Sequence, residues 1–341
     1  MSFNPRIQTV KKHKLKPLEY YLDGLAASNR YVLSECITLI ESNRPEKKNL
    51  GYEILANITP THTSIRVGLT GSPGVGKSTL LDNMGLKLIR KGHKVAILAV
   101  DPSSGSSRGS ILGDKTRMES LVKEDHAYIR PTASGTYLGG TAANTREAIM
   151  LTEAAGYDFI IIETVGVGQS ETHVSSLVDV FLLLILPGAG DDIQGIKRGI
   201  MELADIIFIN KADGERVELA NLSKKQLKSA ISLMQHKMEG WKPHILTGSG
   251  LNDSGIDHLL TSLFDFINHS KDVGYFDYNR NEQDLQWFED QYRNMVLHEI
   301  MTKTDIYPEV LTIKEKLQSG EINPIDAIVN TRNLILSKGI K

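Results

Sequence analysis

Cysteine is almost missing from this chain. Cys36 stands alone among 341 residues. An intramolecular disulfide is therefore impossible, and a cysteine-only zinc site is excluded. A lone thiol points to a reducing compartment, and the expected location is cytoplasmic. Long hydrophobic runs are missing too. The longest is Val180 to Leu186, far short of the roughly 20 residues a membrane span needs. It reads as a buried strand, and no membrane partner is expected. The N-terminus lacks the apolar core of a signal peptide. An excess of either charge is also lacking, since 39 Lys and Arg face 41 Asp and Glu for a net charge of −2. Broad electrostatic binding to nucleic acid is not expected. No internal repeat and no low-complexity segment interrupts the chain.

What is present is ordinary for a folded protein, with 40% hydrophobic and 23% charged residues. The length allows about two domains, or one large α/β domain with appendages. The first acid is Glu19, and Lys11-Lys12-His13-Lys14-Leu15-Lys16 reads as a solvated basic arm. Only Arg6 and Arg30 precede residue 31, whereas organelle-targeting segments are Arg-rich. Three zones follow. Residues 1–60 hold the arm and a helical segment, in which Tyr31, Val32, Cys36, Ile37 and Ile40 fall at helical spacing. Cys36 is expected as a small core residue, and Asn43-Arg44-Pro45 ends that helix. Residues 61–272 alternate strand and helix. The strands are expected at Ile65–Thr70, Lys94–Val100, Phe159–Glu163, Val180–Leu186, Ile206–Asn210 and His244–Thr247. Such alternation predicts an α/β fold, a mostly parallel sheet covered by helices on both faces. Residues 273–341 are helical again, punctuated by Tyr307-Pro308 and Asn323-Pro324 into about three helices.

Gly71-Ser72-Pro73-Gly74-Val75-Gly76-Lys77-Ser78 fits the phosphate-loop pattern G-x-x-x-x-G-K-[ST], and Thr79 follows. An apolar strand precedes it and a helix opens at its end, the context the motif needs. Glycines let backbone N–H groups turn inward around phosphate oxygens. The helix N-terminus adds partial positive charge. Lys77 is expected to reach the β- and γ-phosphates and the Ser78 hydroxyl to ligate Mg²⁺.

Asn210-Lys211-Ala212-Asp213 follows the strand Ile206–Ile209. This N-K-x-D string, placed well after a phosphate loop, is the guanine-specificity signature of GTPases. A carboxylate at Asp213 can accept both guanine N1–H and N2–H, a donor pair adenine lacks. The Asn210 amide can bridge base and phosphate loop. A site built on such paired bonds rejects the analogue that leaves them unmade.

Glu163-Thr164-Val165-Gly166 ends another apolar strand. Glu163 can bind Mg²⁺ directly or through water, and the Gly166 N–H can bond the γ-phosphate. Lys77, Glu163 and Gly166 are the candidate catalytic residues. Val167, not Gln, follows the glycine, so a Ras-like catalytic Gln is absent from its usual place. Slow intrinsic hydrolysis is the expectation, and neither Gln169 nor Glu171 is assigned to position water. Asp101 ends the strand Lys94–Val100, beside the phosphate site of a parallel sheet. Arg108 and Asp114 are the candidate charges of the Gly- and Ser-rich loop after it.

These residues resemble the methylmalonyl-CoA mutase-associated GTPases, the MeaB/ArgK-like family of the SIMIBI class of P-loop GTPases. The matching stretches are GSPGVGKST (71–79), AVDPSSGSSRGSILGDKTRM (99–118), ETVGVGQSE (163–171), PGAGDDIQGIKRGIMELAD (187–205) and NKADG (210–214). DPSS, ETVGVGQSE and GDDIQGIK discriminate far better than the phosphate loop. The resemblance implies Mg²⁺ held by Ser78, Asp101, Asp114 and Glu163, with GTP or GDP as ligand. It implies a switch loop, Gly188–Lys197, whose Asp191, Gln194 and Lys197 couple nucleotide state to a partner. It places Ser249 and Gly250 at the guanine. Gly250 stands where Ala is usual, so a somewhat looser loop is expected. The implied partner is an adenosylcobalamin-dependent acyl-CoA mutase, usually methylmalonyl-CoA mutase. The GTPase gates cofactor delivery to that partner and protects it from inactivation. A homodimer through the C-terminal helices is implied as well. Direct cobalamin binding is not expected, since no His lies in a D-x-H-x-x-G pattern. Two other readings remain open. One is a phosphate-transferring kinase, as the family's older naming for lysine/arginine/ornithine transport supposed. The other is metal insertion, the work of sister SIMIBI GTPases.

Overall fold

The computed structural model describes residues 15–59, 64–101, 118–133, 144–164, 170–188, 198–232, 234, 236–303 and 306–337. Seven strands build one sheet: β1 (Ile65–Gly71), β2 (Val95–Asp101), β3 (Ala127–Ala133), β4 (Phe159–Thr164), β5 (Val180–Ile185), β6 (Ile206–Ile209) and β7 (His244–Thr247). Their order is β3-β2-β4-β1-β5-β6-β7, and all neighbours run parallel. Between them, and at both ends, lie α1 (Leu18–Ala26), α2 (Arg30–Ile40), α3 (Pro45–Asn57), α4 (Lys77–Arg90), α5 (Thr145–Ala154), α6 (Ser170–Ser175), α7 (Arg198–Leu203), α8 (Val217–Ile231), α9 (Ile256–Asp272), α10 (Tyr275–Lys303), α11 (Ile306–Gln318) and α12 (Pro324–Ser337). The chain divides into two compact units, residues 1–279 and 280–341.

In the first unit the strands are apolar at consecutive positions because both faces of the sheet are covered. One face carries Ala96, Leu98, Ile160, Ile162, Leu183 and Ile207 into a core shared with α1–α3 and α5–α8. The other carries Val67, Leu69, Ile97, Ile161, Leu182 and Phe208 toward α4 and α9. The N-terminal helices thus complete one face of the sheet. Cys36 is buried there as expected, and burial pushes its thiol up to about 12. Tyr31 departs from expectation. It is 84% exposed, because Asn29 caps α2 and the buried stripe begins one residue later, at Val32.

Strand β3 is absent from the expected set. Arg130 and Pro131 interrupt its apolar pattern. A proline cannot donate to a ladder, yet β3 is an edge strand with β2 as its sole neighbour, where that loss is tolerated. In the second unit the two proline signals mark helix starts. Pro308 lies in the first turn of α11, and Pro324 opens α12. No described helix is long and apolar enough to cross a membrane.

A buried ion pair anchors β1 to α5. The Arg66 guanidinium donates from Nε and Nη2 to the two carboxylate oxygens of Glu153 at 2.8 and 2.9 Å. The Ser64 hydroxyl donates to the same carboxylate. The two side chains are 7% and 6% exposed. Glu153→Gln leaves a buried guanidinium without its counter-charge. A loss of about 3–5 kcal/mol is expected in urea unfolding; a loss under about 1 kcal/mol contradicts the pairing.

Candidate functional site

In a parallel sheet the C-terminal strand ends share one rim, and ligands bind there at the point where chain connections diverge. Here β1 lies between β4 and β5, so that point sits at the end of β1. The loop after β1 turns on glycines. Gly74 and Gly76 have φ of +78° and +97°, a region that strains other residues. Gly76 also leaves no room, since a Cβ there would lie 2.6 Å from Asn210 Nδ2. α4 then starts at Lys77, aiming its first N–H groups at the loop's hollow. Lys77 is buried, and its Nζ donates to the Gly71 carbonyl at 2.8 Å. The amine is held across the loop. Gly71 itself presses on β5, where a Cβ would meet the Leu184 carbonyl at 2.6 Å.

The N-K-x-D segment leaves β6 and meets this loop directly. Asn210 is buried; its Nδ2 donates to the Val75 carbonyl at 2.8 Å, and its Oδ1 accepts the Gly250 N–H at 2.8 Å. One amide therefore ties together three loops. Lys211 reaches the Gly74 carbonyl at 2.7 Å, from a left-handed backbone with φ of +59°. The Ser249 hydroxyl donates to Asp213 Oδ2 and accepts the N–H groups of Leu251 and Asn252 at 3.2 and 3.3 Å. The Asp213 carboxylate keeps further lone-pair sites free of that bond.

The Gly250 loop is tied on two sides. Its N–H and carbonyl are both bonded, the latter by Asn83 Nδ2 at 2.6 Å. A Cβ at Gly250 would lie 3.0 Å from the Leu80 backbone nitrogen. The missing methyl lets the loop seat closely on α4.

At the neighbouring strand ends, Glu163 is buried near the end of β4. The Thr164 hydroxyl donates to the Thr70 hydroxyl at 2.8 Å, locking β4 to β1. Ala99 pairs with Glu163, so the last residue of β2, Asp101, lies two positions beyond that pair. Ser78 lies in the first turn of α4. Its hydroxyl and the Glu163 carboxylate are hard oxygen donors of the kind that Mg²⁺ takes. The side chain of Asp101 lies outside what is described. So do Arg108, Asp114, Gly166, Asp191, Gln194 and Lys197. Asn83 and Thr70 were not expected at the site, nor was the Thr164 bond to Thr70; nothing in a single helix or strand marks which distant segment lands on it. A cavity of about 930 Å³ beside β7, lined by Lys224, Lys228, Trp241 and His269 among others, contains none of the site residues.

The phosphate loop, the N-K-x-D segment and the strand-end acids thus converge on one rim. The sequence model of the family described as methylmalonyl-CoA mutase-associated GTPase MeaB matches residues 33–305. The chain belongs to the MeaB family. It is 43% identical over 282 residues to the GTPase ArgK of Escherichia coli, covering 82% of this chain and 85% of the relative. It is 38% identical over 312 residues to the mitochondrial methylmalonic aciduria type A homolog of Mus musculus, covering 88% of this chain and 75% of the relative. The crystal structure of a protein named LAO/AO transport system kinase superposes with a TM-score of 0.73 at 33% identity, covering 95% of this chain and all of that one. This MeaB-family protein is a GTPase.

Proposed function

We propose that this MeaB-family GTPase acts as a nucleotide-gated chaperone for an adenosylcobalamin-dependent acyl-CoA mutase, with methylmalonyl-CoA mutase as the favoured partner. It would admit the cofactor to that enzyme and protect it from inactivation. The observation that carries the reading is the three-way tie at Asn210. It joins the phosphate loop to the N-K-x-D segment and the Gly250 loop, in a chain whose family is named for the mutase.

On this reading the backbone N–H groups of Gly74–Ser78 and the Lys77 amine bind the phosphates, with Gly71, Ser72, Pro73 and Thr79 shaping the loop. Asp213 accepts guanine N1–H and N2–H, Lys211 braces Gly74, and the Ser249–Gly250 backbone lies along the base. Ser78, Asp101, Asp114 and Glu163 would hold Mg²⁺, which when bound neutralises phosphate charge. Gly166 and the residues Arg108, Asp191, Gln194 and Lys197 would carry γ-phosphate occupancy to the partner. Cobalamin would stay with the mutase. The C-terminal arm would pair two copies. Leu285, Phe288, Tyr292 and Leu297 on α10, and Ile325 and Ile328 on α12, expose apolar side chains that support such pairing.

The test combines two readouts. Native mass spectrometry with the mutase should show a complex holding two copies of this chain and changing with GTP or GDP. Incubation with γ-labelled GTP should release labelled phosphate slowly. Absence of a complex in every nucleotide state overturns the chaperone reading. Label transferred to a protein or small molecule favours the kinase reading instead, in line with the name that the structural relative carries.

A further inference from the structure

Helix α4 does more than start at the phosphate loop. Asn83 and Lys87 are four residues apart and so share one face of it. Both reach the loop that follows β7. Asn83 donates to the Gly250 carbonyl at 2.6 Å. Lys87 Nζ bridges two carboxylates, Asp253 at 2.9 Å and Asp257 at 2.8 Å. Asp257 lies in the first turn of α9, and Asp253 sits in the loop with φ of +60°. The hydrogen bonds to Asp257 and Asp253 raise the Lys87 amine above its ordinary range, and the Lys87 bond lowers Asp257. The short stretch carrying Ser249 and Gly250 is thus strapped to α4 at its tip and at its far end.

We infer that Asn83 and Lys87 are positioning residues that clamp the guanine loop onto the phosphate-loop helix and so set how long the nucleotide stays bound. The inference rests on the guanine reading of Asp213 and Ser249 proposed above. Its logic is geometric. Asp213 hydrogen-bonds Ser249, and Asn210 holds Gly250 from one side. Without Asn83 the Gly250 carbonyl loses its partner on the α4 side. Without Lys87 two carboxylates are left facing each other with no cation between them. Either change frees the loop to lift, and a lifting loop uncovers the base. The Lys87 side chain is 16% exposed and its partners 49% and 67%. Salt therefore screens the ionic half of the clamp, while the Asn83 bond between neutral groups is insensitive to it.

The experiment uses the full chain loaded with a fluorescent GDP analogue and chased with excess unlabelled GDP. Asn83→Ala and Lys87→Met are each expected to release the analogue about tenfold faster, as the loss of one good polar contact implies. Single-turnover hydrolysis of preloaded GTP should change less than release does. Wild-type release should quicken from roughly 50 mM to 500 mM NaCl, and Lys87→Met should lose most of that dependence. Lys87→Arg should restore both the slow release and the salt response. Matching melting temperatures without nucleotide show that the variants fold. Wild-type release rates in both variants, or an unchanged salt response in Lys87→Met, overturn the clamp. If those results come with intact preference for GTP over ATP, the guanine reading survives and only the clamp falls. If the wild type has no such preference, both fall.

Discussion

Lys77→Ala is expected to abolish measurable GTP turnover, a loss of at least about 100-fold in kcat/KM. The lysine is buried, and its amine is held over the loop by the Gly71 carbonyl. Among the described residues, Lys211 also reaches this loop, and its amine is committed to the Gly74 carbonyl. Alanine keeps α4 intact, because it is a good helix former. The loss should therefore appear in catalysis and triphosphate binding, with little change in folding. Phosphate release from GTP, followed at saturating and limiting substrate, reads it directly. Turnover within a factor of about three of wild type would remove Lys77 from the phosphate site.

The second large effect concerns the base. Asp213→Asn should weaken GTP and strengthen xanthosine triphosphate. Guanine offers two donors to one carboxylate. Asparagine offers one acceptor and one donor, so its amide N–H faces the guanine N2–H while matching the xanthine carbonyl. Two charge-assisted hydrogen bonds at roughly 1.5–3 kcal/mol each imply a change of roughly 100- to 10,000-fold. The Ser249 hydroxyl that donates to Asp213 can donate to the asparagine carbonyl oxygen instead. The loop should survive the exchange. Competition between GTP and xanthosine triphosphate for the fluorescent GDP site measures the switch. Unaltered selectivity would show that Asp213 does not read the base.

Which features could be read before the structure follows from the range of the forces involved. Phosphate-loop glycines announce themselves, because positive φ at Gly74 and Gly76 is a local demand. The buried strands do so as well, because double burial makes whole segments apolar. β3 escapes for an equally local reason, since Arg130 and Pro131 spoil its pattern while its edge position forgives them. Helical spacing alone puts Tyr31 one position out of register with the buried stripe, an error of about one helical step. The clamp residues are beyond reach for a different reason. Asn83 and Gly250 are 167 residues apart, and Lys87 and Asp257 are 170. A polar residue on a helix surface carries no mark of a partner so distant. Gly250 shows the same limit. Its small size reads as slack until Leu80 is seen against it.

The position of β1 in the sheet has a consequence in time. β1 is made before β2 and β3, yet its neighbours are β4 and β5, and the Thr70–Thr164 contact spans 94 residues. Such distant parallel pairings form slowly, since the intervening chain must be ordered first. The phosphate loop gains both flanking strands only once β4 and β5 have been made, and the Gly250 loop follows β7 later still. A nucleotide held by both the phosphate loop and the Gly250 loop would meet its full site only once β7 and the loop after it have been made. A ligand that binds no earlier intermediate acts as a seal on the completed fold, stabilising it by mass action.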